Sequence, residues 1–318
     1  MDIPLIILTV SLSFLALLVL ILLFAYITFA ITFKRQKTPT SPYGGLDRPS
    51  FSKHRERSKI LIDGISEVKW EKVSTVAYDG TRLSALYYHN NDNSPLQIMC
   101  HGYKSHPLKD MSGGGTEAKE RGYNLLLIEH RAHHSSGGNC ITFGAKESYD
   151  ILAWANWHNE KFNTGMPIVL VGISMGAASV ILASILDLPK NVRCVIADCP
   201  YSSAEEILKK EIRKKHLPVF IFYPLMCLGA RLFGGFDIGK ADVSDAASKK
   251  RLPLLLLHGE DDDFVPLWMS EKIAESARGE CHLYTFPEAR HGTSYLQDPE
   301  RYMKTVDEFL SKHLGDMG

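Results

Sequence analysis

Ser174 stands in Gly172-Ile173-Ser174-Met175-Gly176, behind the apolar run Ile168-Val169-Leu170-Val171 and ahead of the small residues Ala177-Ala178. A serine at a tight strand-to-helix turn holds its hydroxyl over the end of a sheet, and flanking glycines let neighbouring backbones pass close by. The hydroxyl is a poor nucleophile until a base removes its proton, and an acid must hold that base in one tautomer. Both partner types follow in the chain. After the apolar residues 254–257 comes His258-Gly259-Glu260-Asp261-Asp262-Asp263-Phe264-Val265-Pro266, an acid-rich turn with three neighbouring aspartates. Further on, Ala289-Arg290-His291-Gly292 puts a histidine in a loop before the last helical stretch. Taken singly, an acidic turn reads as a solvated loop or cap and a loop histidine as polar surface. In the order serine, acid, histidine, each at the end of an expected strand, they point to acyl transfer. Such a site also needs donors for a tetrahedral oxyanion. Met175 supplies one N–H as the residue after the serine, and Tyr103 is expected to supply the second, from His101-Gly102-Tyr103 behind a strand ending at Cys100. His101 itself reads as a structural histidine.

The elements that must position these groups are visible as short unbroken apolar runs at 96–100, 123–129, 168–171, 192–198 and 252–258. Each is followed by a polar or glycine-containing turn and a helix-like stretch. That alternation predicts a mostly parallel sheet with helices on both faces. Residues 68–77 and 83–89 read as strands joined at Asp79-Gly80, a hairpin signal; a last strand at 282–286 precedes a closing helix at 299–314. Residues 204–250 interrupt the pattern with a basic helix-like piece, 205–215, and an apolar run, 217–233, broken by Pro224 and Gly229. The insertion reads as a helical lid over the strand ends, too interrupted to be a second membrane span.

Residues 3–33 carry no charge, more than the roughly 20 residues that cross a bilayer. The start Met1-Asp2 and the lack of a small-residue cleavage site point to a transmembrane anchor rather than a cleaved leader. Lys34, Arg35 and Lys37 follow it directly, which places the rest of the chain on the cytoplasmic side of a cell membrane crossed once. Tyr26, Phe29 and Phe33 fall near that interface. The expected organisation is an anchor over 1–35, a linker over 36–59 and a globular domain over 60–318, with the lid at about 204–250. With 36 basic and 36 acidic residues the chain offers no obvious site for nucleic acid. Its six cysteines form no C-x-x-C pair and suit a reducing compartment. His130, His133 and His134 lack the carboxylate or cysteine set that zinc would need.

These pieces resemble the α/β-hydrolase superfamily over about residues 68–314. The branch they are most similar to holds serine aminopeptidases, monoacylglycerol lipases and cinnamoyl esterases. The likeness rests on His101-Gly102-Tyr103, on Arg131-Ala132-His133 with Ile141-Thr142-Phe143-Gly144, Glu147 and Asp150, on the Gly172 to Gly176 pentapeptide, on His258-Gly259-x-x-Asp262-x-x-Val265-Pro266 and on His291. Glu129 replaces the branch's usual Asp, and His134 its usual Gly. The resemblance implies a Ser174–Asp262–His291 triad with Tyr103 and Met175 at the oxyanion, no cofactor and no metal. It also implies a small-molecule ester substrate. A peptidase would need an acidic pocket for an amino group, for which Glu205 and Glu206 are the candidates, and a silent binding protein on the same fold is the alternative outside enzymes. The basic residues Lys209, Lys210, Arg213, Lys214 and Lys215 would draw the lid to anionic lipid. The apolar run behind them then faces either the cleft or the bilayer, and the substrate is an acyl or aromatic ester reached from the membrane.

Overall fold

The computed structural model describes residues 3–35 and 41–314. Asp2, Lys37 with the rest of 36–40 in the expected linker, and 315–318 of the expected globular domain lie outside the described residues. In chain order the helices are α1 (Ile3–Thr32), α2 (Arg55–Ser66), α3 (Pro107–Asp110), α4 (Ser112–Glu120), α5 (Glu147–Phe162), α6 (Met175–Ala183), α7 (Ala204–Lys214), α8 (Val219–Gly229), α9 (Val243–Lys249), α10 (Trp268–Ser276), α11 (Ser294–Gln297) and α12 (Pro299–Leu314). The strands are β1 (Glu71–Val76), β2 (Arg82–Tyr88), β3 (Leu96–Cys100), β4 (Asn124–Glu129), β5 (Ile168–Ile173), β6 (Val192–Asp198), β7 (Leu254–Gly259) and β8 (Cys281–Phe286). They form a single sheet in the order β1-β2-β4-β3-β5-β6-β7-β8, antiparallel at β1/β2 and β2/β4 and parallel from there on.

The central strands are apolar throughout because helices cover both faces. Side chains that alternate along a strand then feed two cores. Ile98, Cys100, Leu126, Ile128 and Leu170 belong to the core that includes α5, α6 and α10 residues. Met99, Leu125, Leu127, Val169 and Ile196 belong to the other, with Ile65 of α2, Ala118 of α4 and Met303 of α12. Ordered structure begins ahead of Ile60, since α2 starts at Arg55 and buries Ser58, Ile62 and Ile65. All six cysteines are free.

Helix α1 is longer than a bilayer requires, and its two parts differ. Residues 3–24 are exposed on every side, about 22 residues or roughly 33 Å of helix, close to the thickness of a hydrocarbon core. Ala25, Phe29 and Phe33 are buried in protein. Phe33 meets the rings of Phe143 and Phe236 at 5.6 and 5.3 Å, and α8 lies against this end so closely that a Cβ on Gly229 would stand 2.3 Å from the Ala25 carbonyl oxygen. The apolar run of the 204–250 insertion therefore packs on α1. Its outer side chains, Phe220 (80 % exposed), Ile221, Leu232 and Phe233, stay uncovered beside it.

Candidate active site

The strand-to-helix turn after β5 forces Ser174 to φ 55° and ψ −117°, a conformation that L-residues avoid unless surrounding structure imposes it. That structure is backbone. A Cβ on Gly176 would sit 1.9 Å from the Cys100 carbonyl oxygen, and one on Gly172 would sit 2.4 Å from the Gly176 carbonyl carbon. The Ser174 N–H donates to the Asp198 carbonyl at 2.8 Å, fixing the turn to β6.

Three side chains converge there. Ser174 Oγ lies 2.9 Å from His291 Nε2, and His291 Nδ1 lies 2.7 Å from Asp262 Oδ2. A carboxylate only accepts, so the Nδ1 proton points at Asp262 and Nε2 is left to accept from the serine hydroxyl. Of the three neighbouring aspartates, Asp262 is the buried one, whereas Asp261 and Asp263 face solvent. Asp262 Oδ1 accepts the N–H groups of Phe264 and Val265 at 2.9 and 2.8 Å. Burial works to raise its pKa, but the His291 and His258 imidazoles more than offset this and hold the carboxyl well below the usual carboxylate range. The group is thus a fixed anion facing His291.

The loop after β3 lies against the nucleophile, since a Cβ on Gly102 would be 3.4 Å from Ser174 Cβ. Neither the Tyr103 nor the Met175 N–H has an acceptor among the described residues. Asp110 holds the loop by accepting from the Gly102 N–H at 2.8 Å and the Ser105 hydroxyl at 2.7 Å. Histidines support it from behind. His101 donates from Nδ1 to the Gly102 carbonyl and accepts the His130 N–H, while His133 Nε2 accepts the Lys104 N–H. Burial lowers His130 and His133 to about 3, so the cluster is neutral scaffolding at ordinary pH. His134, where the resembled branch has glycine, takes φ 40° and bonds the Ser105 carbonyl through Nε2 at 2.9 Å. The Tyr103 hydroxyl turns away from the serine and donates to the Thr32 carbonyl at the end of α1, at 2.6 Å.

A cavity of about 610 Å³ opens at Ser174 and is lined there by Gly102, Tyr103, Phe264 and His291. Of the 204–250 insertion only Lys214 lines it. Leu46, Arg48 and Phe51 also line it, so residues expected as linker form part of its wall. Among the described residues, Cys199, Asp262 and His291 bring possible metal-ligand atoms within 4.8 Å of one another. Burial pushes the Cys199 thiol up, and Asp262 and His291 are committed to each other, so the group suits proton transfer better than a cation.

Further residues have roles here that their places in the sequence do not state. His258 donates from Nε2 to the Val265 carbonyl at 2.8 Å and shapes the acid turn. Lys210 donates to the Asp263 and Phe264 carbonyls from α7, 2.7 Å each, across some fifty residues of chain. Asp198, raised to about 6 by burial against the pull of His258, lies behind the serine turn. Only its place at the end of an apolar strand could have marked it.

A model of the prolyl oligopeptidase family matches residues 237–317, the part that carries the acid turn and His291. The Pyrococcus furiosus esterase Pf2001 superposes with a TM-score of 0.63 at 24 % identity, covering 80 % of this chain and 94 % of that one. The chain has the α/β-hydrolase fold. Est1E from Butyrivibrio proteoclasticus, solved with ferulic acid bound, shares the fold with a TM-score of 0.58 at 20 % identity, over 77 % of this chain and 100 % of that one. Among curated relatives, the uncharacterized protein YqkD of Bacillus subtilis (strain 168) is 29 % identical over 221 residues, 69 % of this chain and 72 % of its own length. Within this fold, burial separates Asp262 from its two neighbours. Asp262→Asn is accordingly expected to lower ester turnover by about a thousandfold or more, while Asp261→Asn and Asp263→Asn stay within a few-fold of wild type. Steady-state kinetics on the three variants checks this, and collapse on either neighbour alone contradicts it.

Proposed function

We propose that this chain is a serine hydrolase that cleaves carboxylic esters through an acyl-enzyme, held at a membrane by α1. The observation that carries the proposal is the hydrogen-bonded run Ser174–His291–Asp262 at the mouth of the cavity. His291 Nε2 takes the hydroxyl proton as Ser174 Oγ bonds to the ester carbonyl carbon. The Met175 and Tyr103 N–H groups receive the oxyanion, and His291 returns the proton to the departing alcohol oxygen. Water then loses a proton to His291 and attacks the acyl carbon. Ser174 Oγ leaves with that proton, and the acid is released.

Charge favours esters over aminoacyl amides. Arg48, Lys214 and Arg290 line the cavity and form no ion pair among the described residues. Glu205 is paired with Lys209, and Glu206 with Lys272 and the Ser202 hydroxyl; neither lines the cavity. A substrate ammonium would meet these three cations there, against Asp263 as the exposed lining carboxylate without an ion pair among the described residues. A non-catalytic binding role gives no reason for a strained serine whose hydroxyl faces a correctly protonated imidazole. For the full chain in detergent, kcat/KM for neutral aryl esters is expected to exceed that for aminoacyl aryl amides by about a hundredfold or more. A preference for the amides would replace this reading with a peptidase.

Anchoring is supported by the exposed apolar length of residues 3–24, and Lys34 and Arg35 directly after it favour the cytoplasmic side for the hydrolase domain. The uncovered Phe220, Ile221, Leu232 and Phe233 on and after α8, packed on the same helix, would then rest in the adjoining leaflet. An impermeant thiol reagent should label a cysteine placed at exposed Lys249 only after cells are opened. Labelling in intact cells would reverse the orientation.

A further inference from the structure

Val171 and Ile173 lie on β5, a central strand with helices over both faces, yet both are only partly buried. The space they face is the cavity, which does not stop at the nucleophile. Its floor is the sheet, where Met99 of β3, Val171 and Ile196 of β6 lie side by side in register, Met99 opposite Val171 and Val171 opposite Ile196. Its roof is Ala118 of α4 with Met303, Val306 and Leu310 of α12. Gln97, level with Val169, also lines it. At a strand rise of about 3.3 Å per residue, that is roughly 16 Å below Ser174. The far end holds the Arg121–Asp307 pair, with Nε and NH2 each 2.8 Å from a carboxylate oxygen.

The sequence makes this space by leaving side chains out. Ser112-Gly113-Gly114-Gly115 opens α4; the Gly113 position is filled by the Tyr295 ring, whereas a Cβ on Gly114 would meet nothing within 4 Å. Protein interiors are otherwise close-packed, so a space of this size between a central strand and its covering helices is suited to a ligand.

We propose that this channel holds the acyl chain of the substrate, so that the enzyme acts on long-chain acyl esters. The inference rests on the ester-hydrolase reading and names its substrate class. A volume of about 610 Å³ and a depth of roughly 16 Å accept an unbranched chain of about a dozen carbons. The floor and roof are mainly aliphatic and thioether side chains, and Gln97, Tyr295, Tyr302 and the Arg121–Asp307 pair are among the polar groups that border them. The acyl group is also the part that stays on Ser174 after the alcohol departs, and a deep channel suits the part that stays.

The test compares butyryl and dodecanoyl aryl esters on the full chain in detergent, with binding of dodecanoic acid to Ser174→Ala read by displacement of a fluorescent fatty acid. Val171→Phe closes the channel below the nucleophile, and Gly114→Leu fills it from a position with open space, so one serves should the other fail to fold. Each is expected to lower dodecanoyl turnover by about tenfold or more while butyryl turnover stays within about twofold, and to weaken dodecanoic acid binding equally. Should no ester be cleaved while dodecanoic acid binds and Val171→Phe or Gly114→Leu releases it, the ester-hydrolase reading fails and the acyl channel stands. Folded variants that keep the wild-type ratio of dodecanoyl to butyryl turnover, or the wild-type affinity for dodecanoic acid, overturn the channel.

Discussion

Everything around Ser174 depends on backbones passing where side chains would not fit. Gly176 lets the first turn of α6 press on the Cys100 carbonyl, and Gly172 lets the same helix turn cross β5. Because Cys100 is in register with Gly172, the loop after β3 arrives level with the serine turn. The same device recurs at the acid. A Cβ on Gly259 would stand 2.3 Å from the Ala289 carbonyl oxygen, whose lone pairs instead receive the Asp261 N–H at 3.0 Å. The loop bearing His291 is thereby tied to the turn bearing Asp262. Positive φ at Ser174 is the strain that this close approach imposes, and the sheet register keeps it in place.

Helix α1 is wired into the same region. Carbonyls at the end of α1 have no partner within the helix. Here the Tyr103 hydroxyl takes Thr32, Lys104 Nζ takes Ile31 at 3.1 Å and the Ile141 N–H takes Phe33 at 2.7 Å. Arg35 then donates to the Ser136 and His134 carbonyls, 2.6 Å each. The loop that lies against Ser174 therefore caps α1. The cavity wall formed by that loop, Leu46, Arg48, Phe51 and Lys214 lies near the end of α1, with the exposed residues of α8 beside that helix.

The architecture was legible because buried parallel strands are unbroken apolar runs; residues 96–100 and 192–198 are strands with the bounds read from sequence. Strand ends also carry the serine, the acid turn and the histidine in a readable order. The identity of the acid was not readable from the residues themselves. Asp261, Asp262 and Asp263 are chemically equal, and only burial and the N–H groups of Phe264 and Val265 distinguish the middle one. Apolar patterning cannot say whether a side chain meets lipid or protein, which is why the docking of Ala25, Phe29 and Phe33 under α8 was hidden. The channel was hidden for a related reason. Met99 and Val306 are ordinary apolar residues of a strand and a helix, and a space between them exists only once α4, α12 and the sheet are placed together.

The most direct test of the account is whether Ser174 becomes acylated. The full chain, treated with a fluorophosphonate and weighed intact, should gain one adduct that maps to Ser174, and Ser174→Ala should gain none. An adduct retained by Ser174→Ala, or a folded wild-type chain that never reacts, would contradict it.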